Sequence, residues 1–363
     1  MFLAPKKIDW YIFRKFMGTF FASLVLIIGI VIIFDISEKI DDFVEKKAPL
    51  NAIIFDYYLN FIPYFINMYS PMFVFITVIF FTSKMAANSE IIAILSGGIS
   101  FHRMMRPYML AASLIAALSL GLNLFVIPHS NKEKFAFEQK YTKEKPKKAV
   151  RNIHYQVSPG DFVYAESFSS WNNTAYKFTI ERIEDNQLVS KISAETAAFD
   201  TTTGAWRLKK YFIREFNDDL TDNIRSGRQL DTIIPLTVKD FYFSENTVTT
   251  LDYDELNELI RIQSMRGDAN VKHALIEKHT RFALPFSAFV LTIIGVALSS
   301  KKRRGGIGWN IALGIALAFT YILFMRFSQM FVYTDTLSPA VALWLPNVVY
   351  AIIAMILYRL APK

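Results

Sequence analysis

Six long apolar runs dominate the chain, at 16–34, 57–83, 107–128, 282–300, 305–325 and 336–358, and none contains Asp, Glu, Lys or Arg. A bilayer core about 30 Å thick needs about 20 apolar residues of helix, because lipid offers no partner to a free backbone group. Each run therefore predicts one spanning helix. Pro63, Pro71, Pro285 and Pro346 lie in or near these runs, which predicts kinks rather than breaks.

Between the third and fourth runs the pattern changes. A charged helical stretch at 131–148 gives way to short β-type runs at 153–157, 162–168, 176–183, 188–193, 206–216 and 232–238. Turn-forming clusters at 158–161, 184–186, 200–204 and 217–219 separate them, and strands so spaced predict a sandwich or jelly roll. At 253–265 the period is helical again, with Leu256, Leu259 and Ile260 on one face and Gly267 as a stop signal. The predicted organisation is helices 1–3 over 1–130, a β domain over 131–250, linker helices over 251–278 and helices 4–6 over 279–363, a 3 + 3 layout.

Charge gives this layout a direction. Lys6, Lys7, Arg14 and Lys15 precede the first run, Lys84, Arg103 and Arg106 lie between the second and third, Lys301 to Arg304 between the fourth and fifth, and Arg359 and Lys363 at the end. All four groups fall on one side, which predicts cytoplasmic termini and an outer β domain. With that placement the net charge of +8 on 363 residues marks membrane sidedness, not nucleic-acid binding. The first run is long and closes without a small-residue cleavage pattern, so it predicts an uncleaved span. The chain has no cysteine, which excludes disulfides, thiol nucleophiles and cysteine metal sites.

Chemistry-bearing motifs are missing: there is no phosphate loop, no His-Glu-x-x-His helix and no Gly-x-Ser-x-Gly turn. The five histidines lack ligand spacing, so no metal or catalytic residue is assigned. The amphipathic connector 88–100 suits either an interfacial helix or one that docks into a partner's groove. Glu90 stands near its start, where a negative charge suits the helix dipole. Arg281 and Arg326 lie near the outer ends of their helices, where sidedness does not explain an arginine, so they could meet anionic lipid, pair with acids such as Asp35 or Asp56, or snorkel to headgroups.

Several local patterns then share an order and a topology: 8–12 (Ile-Asp-Trp-Tyr-Ile), Ser89-Glu90-Ile91 through 96–100, 161–166, 198–200 with 206–208, 281–285 and 303–306. Over nearly its whole length the chain resembles the LptF/LptG (YjgP/YjgQ) permeases of the lipopolysaccharide export ABC transporter, and 8–12 points towards the LptG-like partner. The resemblance implies a multi-pass α-helical inner-membrane protein with six transmembrane helices and an inserted periplasmic all-β jellyroll. It implies a heterodimer with a paralogous permease, a cytoplasmic ABC ATPase dimer that uses ATP and Mg, and periplasmic bridge proteins that take the lipid onward. The 88–100 segment becomes the coupling helix, with Glu90, Ile91, Ile94, Leu95 and Gly98 meeting the ATPase. The first and fifth helices line a lipid cavity, with Lys39, Arg326, Phe34 and Phe327 as lipid contacts. One stretch departs from the family: where LptG-like members carry basic residues, 34–42 holds Asp35, Glu38, Asp41 and Asp42 against Lys39 alone. Phosphate contact then passes to Arg326 and Lys39, to the partner, or to a less phosphorylated lipid.

Two other classes remain open on the residues themselves. One is a membrane-tethered enzyme using Asp161, Glu166 and Asp200; the other is a scaffold acting through its outer domain.

Overall fold

The computed structural model describes residues 7–142, 150–169, 171–216, 222–241, 245–301 and 306–361. Expectations placed on Lys6, 143–148, 217–219, Lys302, Arg303, Arg304, Gly305 and Lys363 lie outside the described residues. Among the described residues the α-helices of seven residues or more are, in chain order, α1 (Lys7–Glu45), α2 (Leu50–Ala87), the short α3 (Glu90–Ser96), α4 (Phe101–Tyr141), α5 (Tyr253–Arg266), α6 (Val271–Ser299), α7 (Gly306–Tyr333) and α8 (Pro339–Leu360). Six of these, all except α3 and α5, are long and apolar enough to cross a membrane. By contact the chain divides into two compact units, one of Met1–Lys143, Thr249–Tyr253 and Leu275–Lys363, the other of Glu144–Val248 and Asp254–Ala274.

In the first unit the helices outrun their apolar stretches. Over 39 residues α1 continues past the apolar run to Glu45, because Glu38, Lys39 and their neighbours sustain a helix as well as leucine does and the next breaker is Pro49. Pro63, Pro71, Pro285 and Pro346 sit inside helices. Two turns are π-helical, Ile53–Tyr58 in α2 and Leu122–Val126 in α4, and each extra residue re-aims side chains. In the second of these, Asn123 accepts from Asn67 at 2.7 Å and donates to the Arg281 carbonyl at 3.3 Å, while Ser119 donates to Asn67 at 2.6 Å. Such side-chain bonds pin helices together where lipid supplies no hydrophobic drive between them.

Close approach adds to this. A Cβ on Gly295 of α6 would lie 2.9 Å from Val78 Cγ1 and 3.4 Å from Phe75 Cδ2 on α2, and the branched Val78 is stiff at χ1 in a helix. Gly295→Leu is expected to lower bundle stability by about 1–3 kcal/mol, read as a lower thermal midpoint of the detergent-solubilised chain; an unchanged midpoint would refute the close packing.

The second unit is built on a six-stranded antiparallel sheet, β1 (Val150–Ser158), β2 (Asp161–Ser169), β3 (Thr174–Glu184), β4 (Gln187–Phe199), β5 (Trp206–Phe216) and β6 (Asp222–Thr232), in chain order. The expected all-β insert thus takes the form of a meander among the described strands, since turns as short as Pro159-Gly160 return each strand beside its predecessor. Its core joins Val163, Phe168, Phe178, Ala197 and Trp206 to Ile234, Leu236 and Phe241.

The last strand corrects the expectation at 232–238. Thr232 ends a strand and Val238 opens a 3-10 turn, and between them 233–237 is an irregular connection whose Ile234 and Leu236 enter the core. The strand itself is 222–232, a mostly exposed and polar sequence held to β5 by backbone pairing from Trp206↔Thr232 to Phe216↔Asp222. An edge strand solvated on both faces shows no apolar alternation. The helix expected at 253–265 is α5, and Gly267 follows it at φ +67°.

Candidate functional site

The connector between α2 and α4 is a two-turn helix bounded by two unusual joints. Ser89 adopts φ 61° and Gly98 φ +81°, left-handed backbone that is costly for serine and open to glycine. Ser100 caps the next helix by accepting from the Arg103 amide at 3.3 Å. Ile91 is 1% exposed and packs into the cluster of Phe16, Phe81 and Met85, with Ile94 and Leu95 beside it. Ile92, Ala93, Ser96, Gly97 and Gly98 are exposed. Of the residues expected to meet a partner, Gly98 faces out, Ile94 and Leu95 are half-buried, and Ile91 anchors the helix to the bundle. Ile92 is the outward residue that the amphipathic pattern did not single out.

Glu90 is tied to α1. Tyr11 donates to Glu90 Oε2 at 2.8 Å, Lys15 Nζ lies 3.4 and 3.3 Å from its two oxygens, and Asn88 donates to Oε1 at 3.3 Å. Partial burial raises the Glu90 carboxyl, but the bonds from Tyr11, Asn88 and Lys15 together outweigh it, so the group titrates below an ordinary glutamate and stays ionised near neutrality. Close by, Arg103 makes a bidentate contact to Asp9 at 2.6 and 2.5 Å. Sequence reasoning overlooked Asp9, Tyr11, Lys15 and Arg103 as parts of one site. The legible signal was Asp9 itself, an acid in the otherwise cationic 6–15 flank.

The second candidate region is the far end of α1. Lys39 is spent inside the protein: it pairs with Asp35 at 3.1 Å and Glu138 at 3.6 Å and bonds the Tyr57 hydroxyl. Tyr57 and Tyr58 donate to Asp35 at 3.2 and 3.0 Å, so Asp35 serves its own helix cluster and not Arg281. Any phosphate reaching Lys39 must compete with two carboxylates. Phe34 is 72% and Phe327 65% exposed. Arg326 is exposed, its guanidinium 3.8 Å from Met68 Sδ, and no carboxylate pairs with it among the described residues. Arg281 is instead 2% exposed, held by Glu277 and the Leu251 carbonyl, each at 2.9 Å; its guanidinium is enclosed by protein.

The acids suggested for an enzyme do not converge. Asp161 bonds Arg182 at 2.8 Å, Glu166 pairs with Lys177 at 2.5 Å, and Asp200 bonds Thr202 at 2.6 Å and pairs with Arg207 at 3.5 Å. The Arg182 hydrogen bond holds the Asp161 carboxyl below the usual range, which suits a surface ion pair and not an acid catalyst.

The family described as "Lipopolysaccharide export system permease LptF/LptG" matches residues 10–360. No curated protein matches the chain.

Proposed function

Because the chain belongs to the LptF/LptG family of lipopolysaccharide export permeases, a family of multi-pass transporter subunits and not hydrolases, we propose that it extracts lipopolysaccharide from the inner membrane and passes it to a periplasmic bridge. In this reading both termini are cytoplasmic, the β domain is periplasmic, a paralogous permease completes the membrane unit, and an ABC ATPase dimer using ATP and Mg docks on α3. Glu90, Ile91, Ile94, Leu95 and Gly98 form or support that docking surface. Arg326 is the cation that meets the lipid's anionic headgroup, with Phe34 and Phe327 towards its acyl chains and Lys39 behind them, shared with Asp35 and Glu138.

The observation that carries the reading is α3 itself, a short helix between two spans that buries Ile91 and presents Ile92, Ala93 and Ser96. Such a face fits a groove on a soluble partner. The test is Ile92→Asp, at a side chain 51% exposed. The ATPase recovered with the purified complex is expected to fall at least about tenfold, one 1.4 kcal/mol step, with the permease still folded by gel filtration. Undiminished recovery would overturn the assignment of α3.

A further inference from the structure

If α3 receives the ATPase, its motion has to reach the lipid-facing helices. The covalent route is poor, because α3 joins α2 through Ser89 and α4 through the turn at Gly98, where a change of one residue's dihedrals can absorb a rotation before it travels. The route across to α1 is different. Glu90, at the start of α3, is held by Tyr11 and Lys15, and Lys15 in turn donates to Tyr11 at 2.5 Å. Arg103, in the first turn of α4, forks onto Asp9. The N-terminal end of α1 thus grips both flanks of the connector, with Ile12 and Phe16 buried alongside.

We propose that Asp9, Tyr11 and Lys15 latch α1 to Glu90 and Arg103, making them positioning residues that carry displacement of α3 into the first transmembrane helix. Charge-assisted bonds are about twice as strong as neutral ones, and a bidentate guanidinium–carboxylate pair fixes orientation as well as distance. With Glu90 and Arg103 both held, α1 follows the connector instead of sliding past it. Glu90, half-buried, is held by α1 from one side, and Ile92 is exposed beside it. The proposal rests on α3 being the docking element.

The experiment uses the complete complex, with its ATPase, in proteoliposomes of phosphatidylethanolamine, phosphatidylglycerol and lipopolysaccharide. It reads ATPase recovery, ATP hydrolysis and lipopolysaccharide released per ATP. Lys15→Glu is expected to leave the ATPase bound and to lower release per ATP roughly two- to thirtyfold, the range of single-residue effects on coupling. At the other contact, Asp9→Arg is expected to lower release per ATP in the same way, and combining it with Arg103→Asp restores the attraction in reverse and raises release per ATP again. A merely structural role would lower assembly and not this ratio. Unchanged release per ATP in Lys15→Glu, or no recovery in the charge-swapped pair, overturns the latch. Should Lys15→Glu not assemble, Tyr11→Phe, which loses one hydroxyl, takes its place: a lower release per ATP supports the latch and an unchanged one overturns it. Failure of the docking reading would show separately, as normal ATPase recovery in Ile92→Asp.

Discussion

Trp206→Ala is expected to unfold the β domain while the membrane helices stay assembled. Trp206 is fully buried. Its ring stacks on Phe178 with centroids 5.6 Å apart, and it meets Phe199 at 5.2 Å and Phe241 at 5.5 Å. Its indole N–H donates to the Leu236 carbonyl at 2.8 Å, tying the irregular 233–237 connection to the sheet. Truncation removes about 3–5 kcal/mol of packing and leaves the Leu236 carbonyl without that donor, a further penalty of about 1–3 kcal/mol. A domain stable by about 5–15 kcal/mol loses much of its margin. Limited proteolysis of the detergent-solubilised full chain should show rapid cleavage within 150–241 and protected helical fragments. Trp171→Ala, at a tip residue 96% exposed, should leave the pattern as it is, within about 0.5 kcal/mol. An intact domain in Trp206→Ala would mean that the core does not depend on this ring.

Glu277→Ala is the second large effect. It removes the Glu277 carboxylate from a guanidinium that is almost wholly enclosed, and breaking a buried pair costs about 3 kcal/mol, the lower end because Glu277 itself is partly exposed. The Leu251 carbonyl remains, and the Asn123 bond to the Arg281 backbone is untouched, so the loss belongs to the charge. The thermal midpoint of the purified protein should fall clearly, and Glu277→Ala with Arg281→Met should recover most of it, because removing both charges also removes their desolvation penalty. A double variant no better than the single one would show that the pair contributes shape and not charge.

These two sites differ in how far residues by themselves reveal them. Trp206 opens a β-type run that is legible in the residues; what it packs against is not, since Leu236 and Phe241 come from a connection that local pattern assigns in part to a strand. Arg281 reads as an outer cation free to meet lipid or an acid elsewhere. Its partner is one helical turn away at Glu277, a spacing that an i,i+4 count suggests, but enclosure by neighbouring segments is what makes the pair matter.

The amino-acid sequence by itself determined the six spans, the all-β insert and the connector at 88–100, because bilayer thickness, strand alternation and turn chemistry each act over a few consecutive residues. It left β6 unseen, since an exposed edge strand is specified by its neighbour's backbone and not by its own side chains. Tertiary structure alone decided which charges meet. Tyr11 and Glu90 are 79 positions apart and Asp9 and Arg103 are 94, and Lys39 lies 99 positions from Glu138 (138 − 39). Attraction between ions depends on distance in space and on the water excluded around them, and helix packing sets both. Packing brought Glu90 to Tyr11 and Lys15 and Lys39 to Asp35 and Glu138, and left Arg326 exposed without a carboxylate partner among the described residues.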